Sequence, residues 1–164
     1  MLLEDALRAL PLLERHDGSV IDVGSGGGSP GIPLAASLPE REVTLLDAER
    51  RKCDFLRRWA PPNAEVVWGR AEEQPIESWG VAVAKALARP PVAAEWCLPL
   101  VEVGGVVIIW LGERADLGGL AAASEQLGGG PPELWEGLAV LRKVAPTPTG
   151  FPRRVGAAKK RPLA

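Results

Sequence analysis

The sequence predicts an α/β fold: a mostly parallel, twisted sheet with helices on both faces. Two observations carry this. Short, β-branched apolar blocks recur along the chain with helical stretches between them, which is the pattern of a parallel sheet buried on both sides. A glycine-dense turn joins the first of those blocks to the helix that follows it. In chain order, Met1 to Glu14 reads as an amphipathic opening helix. Val20-Ile21-Asp22-Val23 is the first strand and Pro30 to Leu38 the helix after it. Val43-Thr44-Leu45-Leu46 is the second strand, followed by a helix from Glu49 to Trp59 with Phe55, Leu56 and Trp59 on one face. Further strands are expected at Glu65 to Trp68, Val81 to Ala84, Val106 to Leu111 after Gly104-Gly105, and Leu138 to Val144. Helices are expected at Pro91 to Val101 and Arg114 to Leu127, and Gly128 to Pro132 reads as a loop. Residues 1–144 then form one domain, and 145–164 form an irregular basic arm rich in Pro and Arg.

Composition narrows the class. A chain of 164 residues, 46% hydrophobic and 24% charged, is the size of one domain and apolar enough for one core. The 19 glycines and 16 prolines fall between apolar runs without a period, which excludes collagen and solenoid folds. No run approaches the roughly 18 apolar residues that span a bilayer, and Met1 leads straight into Leu-Leu-Glu-Asp, so no membrane and a cytoplasmic location are expected. Cys53, Cys97 and His16 offer too little for zinc or a Cys/His dyad; no metal is expected, the thiols should be buried and reduced, and His16 reads as a turn residue. Charge is unevenly placed. No acidic residue follows Glu136, whereas seven of the 19 basic residues do, so a body at −9 carries an end at +7. That arrangement suits a polyanion partner, or equally a solvated terminus.

The chemistry sits in Asp22-Val23-Gly24-Ser25-Gly26-Gly27-Gly28-Ser29-Pro30-Gly31, a D-x-G-x-G-x-G run in a strand-turn-helix setting. Glycine permits positive φ and close approach of the main chain to a ligand, and the helix that follows offers unpaired N–H groups. Asp47 closes the second strand, 23 residues after Gly24, where a carboxylate can accept from both hydroxyls of a ribose. An adenosine-type cofactor fits. A nicotinamide G-x-G-x-x-G is met only out of phase with the strand, at Gly26 to Gly31, so S-adenosylmethionine is favoured over a dinucleotide. Asp22 holds the turn, or the cofactor's amine through water.

At these residues the chain resembles a known family. Asp22 to Leu34 (DVGSGGGSPGIPL), Leu45 to Leu56 (LLDAERRKCDFL), Gly69 to Glu73 (GRAEE) and Phe151 to Leu163 (FPRRVGAAKKRPL) look like the bacterial small-subunit ribosomal RNA methyltransferase G family, also called glucose-inhibited division protein B. The resemblance implies a Rossmann-like fold, S-adenosylmethionine as cofactor, and methylation of N7 of a guanine in 16S rRNA in the cytoplasm, with 16S rRNA or the small ribosomal subunit as partner; a monomer is our own expectation. By position it places cofactor contacts at Gly24, Ser29, Asp47, Ala71 and Glu72, to which the reading of the turn and strand ends adds Asp22, Gly26, Gly28 and Lys85. Where the family carries A-R-A after the fourth strand, this chain has Ala84-Lys85-Ala86, which keeps the charge and loses the planar fork. Where the family has Lys-Gly after the fifth, it has Leu111-Gly112, and the segment that in the family follows a helical extension starts here as Leu2-Leu3-Glu4-Asp5, which reads as a shortened or divergent N-terminus. These departures motivate the alternative, a cofactor-binding or RNA-binding relative without turnover.

The implied reaction needs no general base, because N7 of guanine carries a lone pair and no proton. Orientation is then the main demand on the protein. Lys85, Arg89 and the Arg153-Arg154 pair are the candidates for placing guanine or its phosphates, with a structural ion pair as the other reading of Lys85. Arg50-Arg51-Lys52 and Arg57-Arg58 read first as a solvated helix face and second as an RNA contact. The tryptophans could stack on bases, but Trp68 and Trp110, inside strands, and Trp96, inside a helix, are expected in the core.

Overall fold

The computed structural model describes residues 2–164. Its strands are β1 (Val20–Val23), β2 (Val43–Asp47), β3 (Ala64–Trp68), β4 (Trp79–Ala84), β5 (Val101–Trp110), β6 (Glu133–Trp135) and β7 (Leu138–Arg142). Its helices are α1 (Leu2–Leu7), α2 (Leu10–Arg15), α3 (Gly31–Ser37), α4 (Arg50–Trp59), α5 (Pro90–Cys97), α6 (Leu117–Gln126) and α7 (Ala157–Lys160). One sheet has the order β3-β2-β1-β4-β5-β7-β6. The first five strands pair in parallel, and β7 runs against β5 and β6.

Every residue of β1 is buried, because the sheet is covered on both sides and successive side chains enter different layers. Ile21 and Val23 join Ala82, Ala84, Val107 and Ile109 in a layer that continues into α5 and α6. Val20 joins Leu45, Val81, Val83, Val106 and Ile108 in the opposite layer, with Leu13 of α2, Leu34 of α3 and Leu56 of α4. The parallel strands therefore end together at one edge, where the β1–α3 and β2–α4 connections meet.

Several expectations change in the structure. The opening helix is two short ones, broken before Pro11, which has no N–H to continue the ladder; Met1 lies outside the described residues. β5 starts at Val101, five residues earlier than its apolar block suggests, and runs through Gly104-Gly105. β6 was not expected. It pairs with β7 across a two-residue turn, Glu136-Gly137, with both residues at positive φ, as a hairpin whose twist matches its strands requires. α6 starts at Leu117 because Asp116 caps it, accepting from the Gly119 N–H at 2.8 Å. Trp68 is not core: it stands 57% exposed, since β3 is the sheet's edge. Cys53 and Cys97 are buried, free thiols.

Candidate functional site

The glycine turn is pinned to the tips of β1 and β2. Gly24 and Ser25 donate their N–H groups to the Leu46 carbonyl at 2.8 and 2.9 Å. The Asp47 carboxylate accepts from the Gly26 N–H at 2.9 Å through one oxygen and from the Glu49 N–H at 2.9 Å through the other. Gly24 and Gly26 both have positive φ, and at Gly24 a Cβ would meet Leu87 Cδ1 at 2.5 Å. Both positions need glycine for backbone conformation, and Gly24 for close packing as well. Each carboxylate oxygen keeps a further lone pair, so Asp47 can still accept from two hydroxyls.

Asp22 lies behind this turn. It is 1% exposed and takes the Gly31 N–H at 3.0 Å on Oδ2, while Oδ1 is buried without a partner. Burial pushes its carboxyl up to about 7, against the Ser25 hydroxyl and the Gly31 N–H, which favour the charged form. The structure thus places Asp22 as the group that anchors the turn to α3. Gly28 also stands behind, packed on Ile32.

Two adjoining cavities, open to solvent, flank the turn, with empty volumes of about 330 and 700 Å³. The smaller is walled by Asp47, Ala71, Glu72, Leu87 and Trp96, and the larger by Gly26, Ser29, Lys52, Lys85 and Ala86. Gly24, Asp47 and Leu87 belong to both. Together they offer an apolar slot, a carboxylate and a run of main-chain groups, the mix of surfaces a small-molecule site presents. Of the residues the sequence pointed to, Gly24, Gly26, Ser29, Asp47, Ala71, Glu72 and Lys85 are thus brought to one crevice.

Lys85 has a second neighbourhood. Its Nζ lies 3.5 Å from Ser29 Oγ and 2.6 Å from Asp5 Oδ2 on α1. The Lys85 ammonium and, less strongly, the Arg8 guanidinium hold the Asp5 carboxyl below its usual range, against partial burial. Lys85 and Ala86 also wall a third cavity of about 980 Å³, with Arg8, Arg89, Trp110, Leu111 and Arg114. Ala86 has φ +53°, a conformation that costs a residue with a Cβ roughly 1 kcal/mol or more and is concentrated at functional sites.

The arginine pair divides. Arg153 is spent in a two-pronged ion pair with Glu95 of α5, itself only 3% exposed, and also donates to the Arg161 carbonyl at 2.8 Å. Arg154 is exposed. The 145–164 segment packs on the body: Ala157 and Ala158 are buried, the Gly156 N–H donates to Glu72 Oε2 at 3.1 Å, and Lys159 Nζ lies 5.5 Å from the Trp96 ring centroid. Among the described residues no group of three or more His, Cys, Asp or Glu could hold a metal, and no helix is long and apolar enough to cross a membrane.

This strand order, a crevice over β1 and β2, and a second cavity past β4 fit the sequence resemblance, and comparison with known proteins decides it. Residues 1–123 match the family described as rRNA small subunit methyltransferase G. The chain belongs to that family. The ribosomal RNA small subunit methyltransferase G of Moorella thermoacetica is 38% identical over 165 positions, covering 88% of this chain and 69% of its own. That of Pelotomaculum thermopropionicum is 37% identical and covers 97% and 76%. Among solved structures, an S-adenosylmethionine-dependent O-methyltransferase of Thermotoga maritima superposes with TM-score 0.70 at 13% identity, over 88% of this chain and 66% of that one. A methyltransferase of Pyrococcus furiosus gives 0.69 at 12%, over 88% and 84%. These likenesses show a Rossmann-like methyltransferase fold. As a methyltransferase G family member, the protein is an S-adenosylmethionine-dependent methyltransferase.

Sequence reasoning missed three residues that this methyltransferase G chain brings to the site. Leu87 fills the space over Gly24, Asp5 reaches Lys85 from 80 positions away, and Trp96 walls the smaller cavity with a buried Nε1 that has no acceptor. Only the last left a readable sign, a tryptophan on an otherwise small-residue helix.

Proposed function

We propose that the protein methylates N7 of a guanine in 16S rRNA, acting in the cytoplasm as a monomer without a metal ion. The coarser statement, S-adenosylmethionine-dependent methylation of small-subunit rRNA, follows from the family. The observation that carries the finer one is the wall formed by Lys85 and Ala86, with the cofactor crevice on one side and a cavity bearing Arg8, Arg89 and Arg114 on the other.

The crevice fits the cofactor by its donor set: a strand-end carboxylate for a ribose, an apolar slot for a base, and a glycine turn for the polar remainder. Bound S-adenosylmethionine supplies an electrophilic methyl group on a sulfonium. The chain's own residues do the rest by holding and excluding. Asp47 and the Gly24 to Gly28 turn fix the nucleoside end, and Ala71, Leu87 and Trp96 keep water from one face of it. Lys85 stands where a target base and the crevice meet, and its ammonium can hold a phosphate or the guanine O6, leaving N7 free. No side chain has to move a proton, which agrees with a site that lacks His and Cys. Body residues 1–144 perform this work in our reading, and the 145–164 arm braces the wall containing Glu72 and Trp96.

Labelled S-adenosylmethionine incubated with 16S rRNA and with 30S particles tests the proposal, followed by borohydride and aniline cleavage, which marks 7-methylguanosine. Incorporation with cleavage at one guanine is expected. Label resistant to cleavage overturns the N7 assignment, and no label overturns the activity.

A further inference from the structure

The exposed aromatic side chains gather in one place. Trp59 is 61% exposed, Trp68 57% and Phe55 44%, all on α4 or the adjacent edge strand β3. Phe55 and Trp59 lie with ring centroids 6.5 Å apart, and the Arg50 guanidinium sits 5.7 Å from the Trp68 ring centroid. Around them stand Arg50, Arg51, Lys52, Arg57 and Arg58, all exposed, against two acids on the same helix turn set, Glu49 and Asp54. Glu49 pairs with Lys52 at 3.3 Å and Asp54 with Arg57 at 3.4 Å, which leaves three net positive charges. The patch begins at the cofactor crevice: Arg51, Lys52 and Phe55 share a shallow cavity with Gly26 and Gly27, and Lys52 also walls the crevice itself.

We infer that α4 and the β3 edge form a docking track for single-stranded rRNA, with Phe55, Trp59 and Trp68 as stacking platforms and the flanking arginines as phosphate contacts. This rests on the rRNA methyltransferase reading and names the surface that delivers the strand. A water-facing helix gains nothing from a phenylalanine and a tryptophan one turn apart, whereas a base stacks on either regardless of its identity. Alternating rings and cations at backbone spacing is how non-sequence-specific strand binding is built. A second copy of the chain is the poorer occupant, because a two-fold contact here would set this excess of cations against itself. The sequence's first reading, a solvated helix face, accounts for the arginines, and Trp68 is held by its indole N–H donating to the Ala48 carbonyl at 2.9 Å, but Phe55 and Trp59 are left unexplained.

The test measures binding of a fluorescein-labelled single-stranded oligoribonucleotide and the KM for 16S rRNA, with S-adenosylhomocysteine affinity as the folding control. Trp59→Ala is expected to weaken RNA binding roughly tenfold, with Trp59→Phe restoring most of it. Arg57→Glu combined with Arg58→Glu is expected to raise KM at unchanged kcat and to flatten the dependence of log affinity on log salt by about 0.7 per lost phosphate contact. S-adenosylhomocysteine affinity stays at the wild-type level in all three. Unchanged RNA affinity and salt slope in both sets overturn the track, as does a wild-type dimer that these changes dissociate without affecting RNA binding. If the wild type transfers no methyl group to 16S rRNA while the variants still lose RNA affinity, the assigned activity fails and the track stands.

Discussion

Two buried charged groups stand at opposite ends of the sheet. At the end where the parallel strands begin, Lys143 is 1% exposed and spends its ammonium on the Leu98 and Val101 carbonyls at 2.8 and 3.2 Å and on Thr147 Oγ1 at 2.8 Å, with Glu77 at 3.8 Å. At the end where they finish, Asp22 is equally buried, has one oxygen with no partner, and has its carboxyl pushed up to about 7. A buried charge with every hydrogen bond made holds structure together. One left short is tolerated only where the backbone around it serves another purpose, and here that backbone is the cofactor turn.

The comparison breaks if the two ends respond alike to substitution. The largest effect expected is on stability: Lys143→Met removes the ammonium's hydrogen bonds to the Leu98 and Val101 carbonyls and to Thr147 Oγ1 and leaves Glu77 without its cation, at a cost of about 3 kcal/mol, which lowers Tm by roughly 10 °C in calorimetry. S-adenosylhomocysteine affinity at a temperature where the variant is folded is unchanged. Asp47→Ala does the reverse, weakening S-adenosylhomocysteine about 100-fold by isothermal titration, from two lost charge-assisted hydrogen bonds, with a smaller loss of Tm.

Asp22 sharpens the contrast through pH. Its carboxyl stands at about 7 in the folded protein, well above the ordinary carboxylate range near 4, so between those values the folded state holds a proton that the unfolded chain has lost. Stability of the cofactor-free protein therefore falls as pH rises from about 4 to about 7. Asp22→Asn, which never ionises, removes that slope and melts higher than the wild type at pH 8. Equal slopes in both proteins would show that Asp22 is not the group responsible.

Two smaller effects complete the series. Trp96→Phe keeps the wall and removes the unpaired Nε1–H; if that group donates to the bound nucleoside, S-adenosylhomocysteine weakens about fivefold, and no change refutes the donation. Asp5→Asn frees Lys85 from its ion pair, and KM for rRNA is expected to fall two- to threefold at low salt and not at all at high salt.

Much of the fold was legible because each β-branched block has its own punctuation. β1 falls where the apolar run predicts, and Gly24 to Gly31 marks the turn after it. Legibility failed where a long-range partner overrode a local signal. Gly104-Gly105 looks like a strand boundary, yet pairing with β4 and with the β7 side carries β5 through it. β6, three residues long, exists only because β7 lies beside it, although Glu136-Gly137 was a hairpin sign in plain view. At the site, the glycines and Asp47 could be found because spacing along one βαβ unit fixes them. Asp5 and Glu95 could not, because their partners, Lys85 and Arg153, lie 80 and 58 residues away. The arginine pair illustrates the limit: two adjacent cations look alike in a string, and only folding shows that one is committed to a buried acid.

That commitment ties the integrity of the chain's end to the lifetime of the whole molecule. Cleavage in the exposed Thr149-Gly150 turn would make the Arg153–Glu95 pair depend on a detached segment, and loss of that segment would leave a carboxylate buried in the α5 layer without its cation, a cost of about 3 to 5 kcal/mol. A nick there is expected to weaken the body as well as the arm, because Glu95 and Arg153 would then be held together only by the arm's remaining contacts. Limited proteolysis should accordingly show the intact band disappearing without a long-lived product near residue 150.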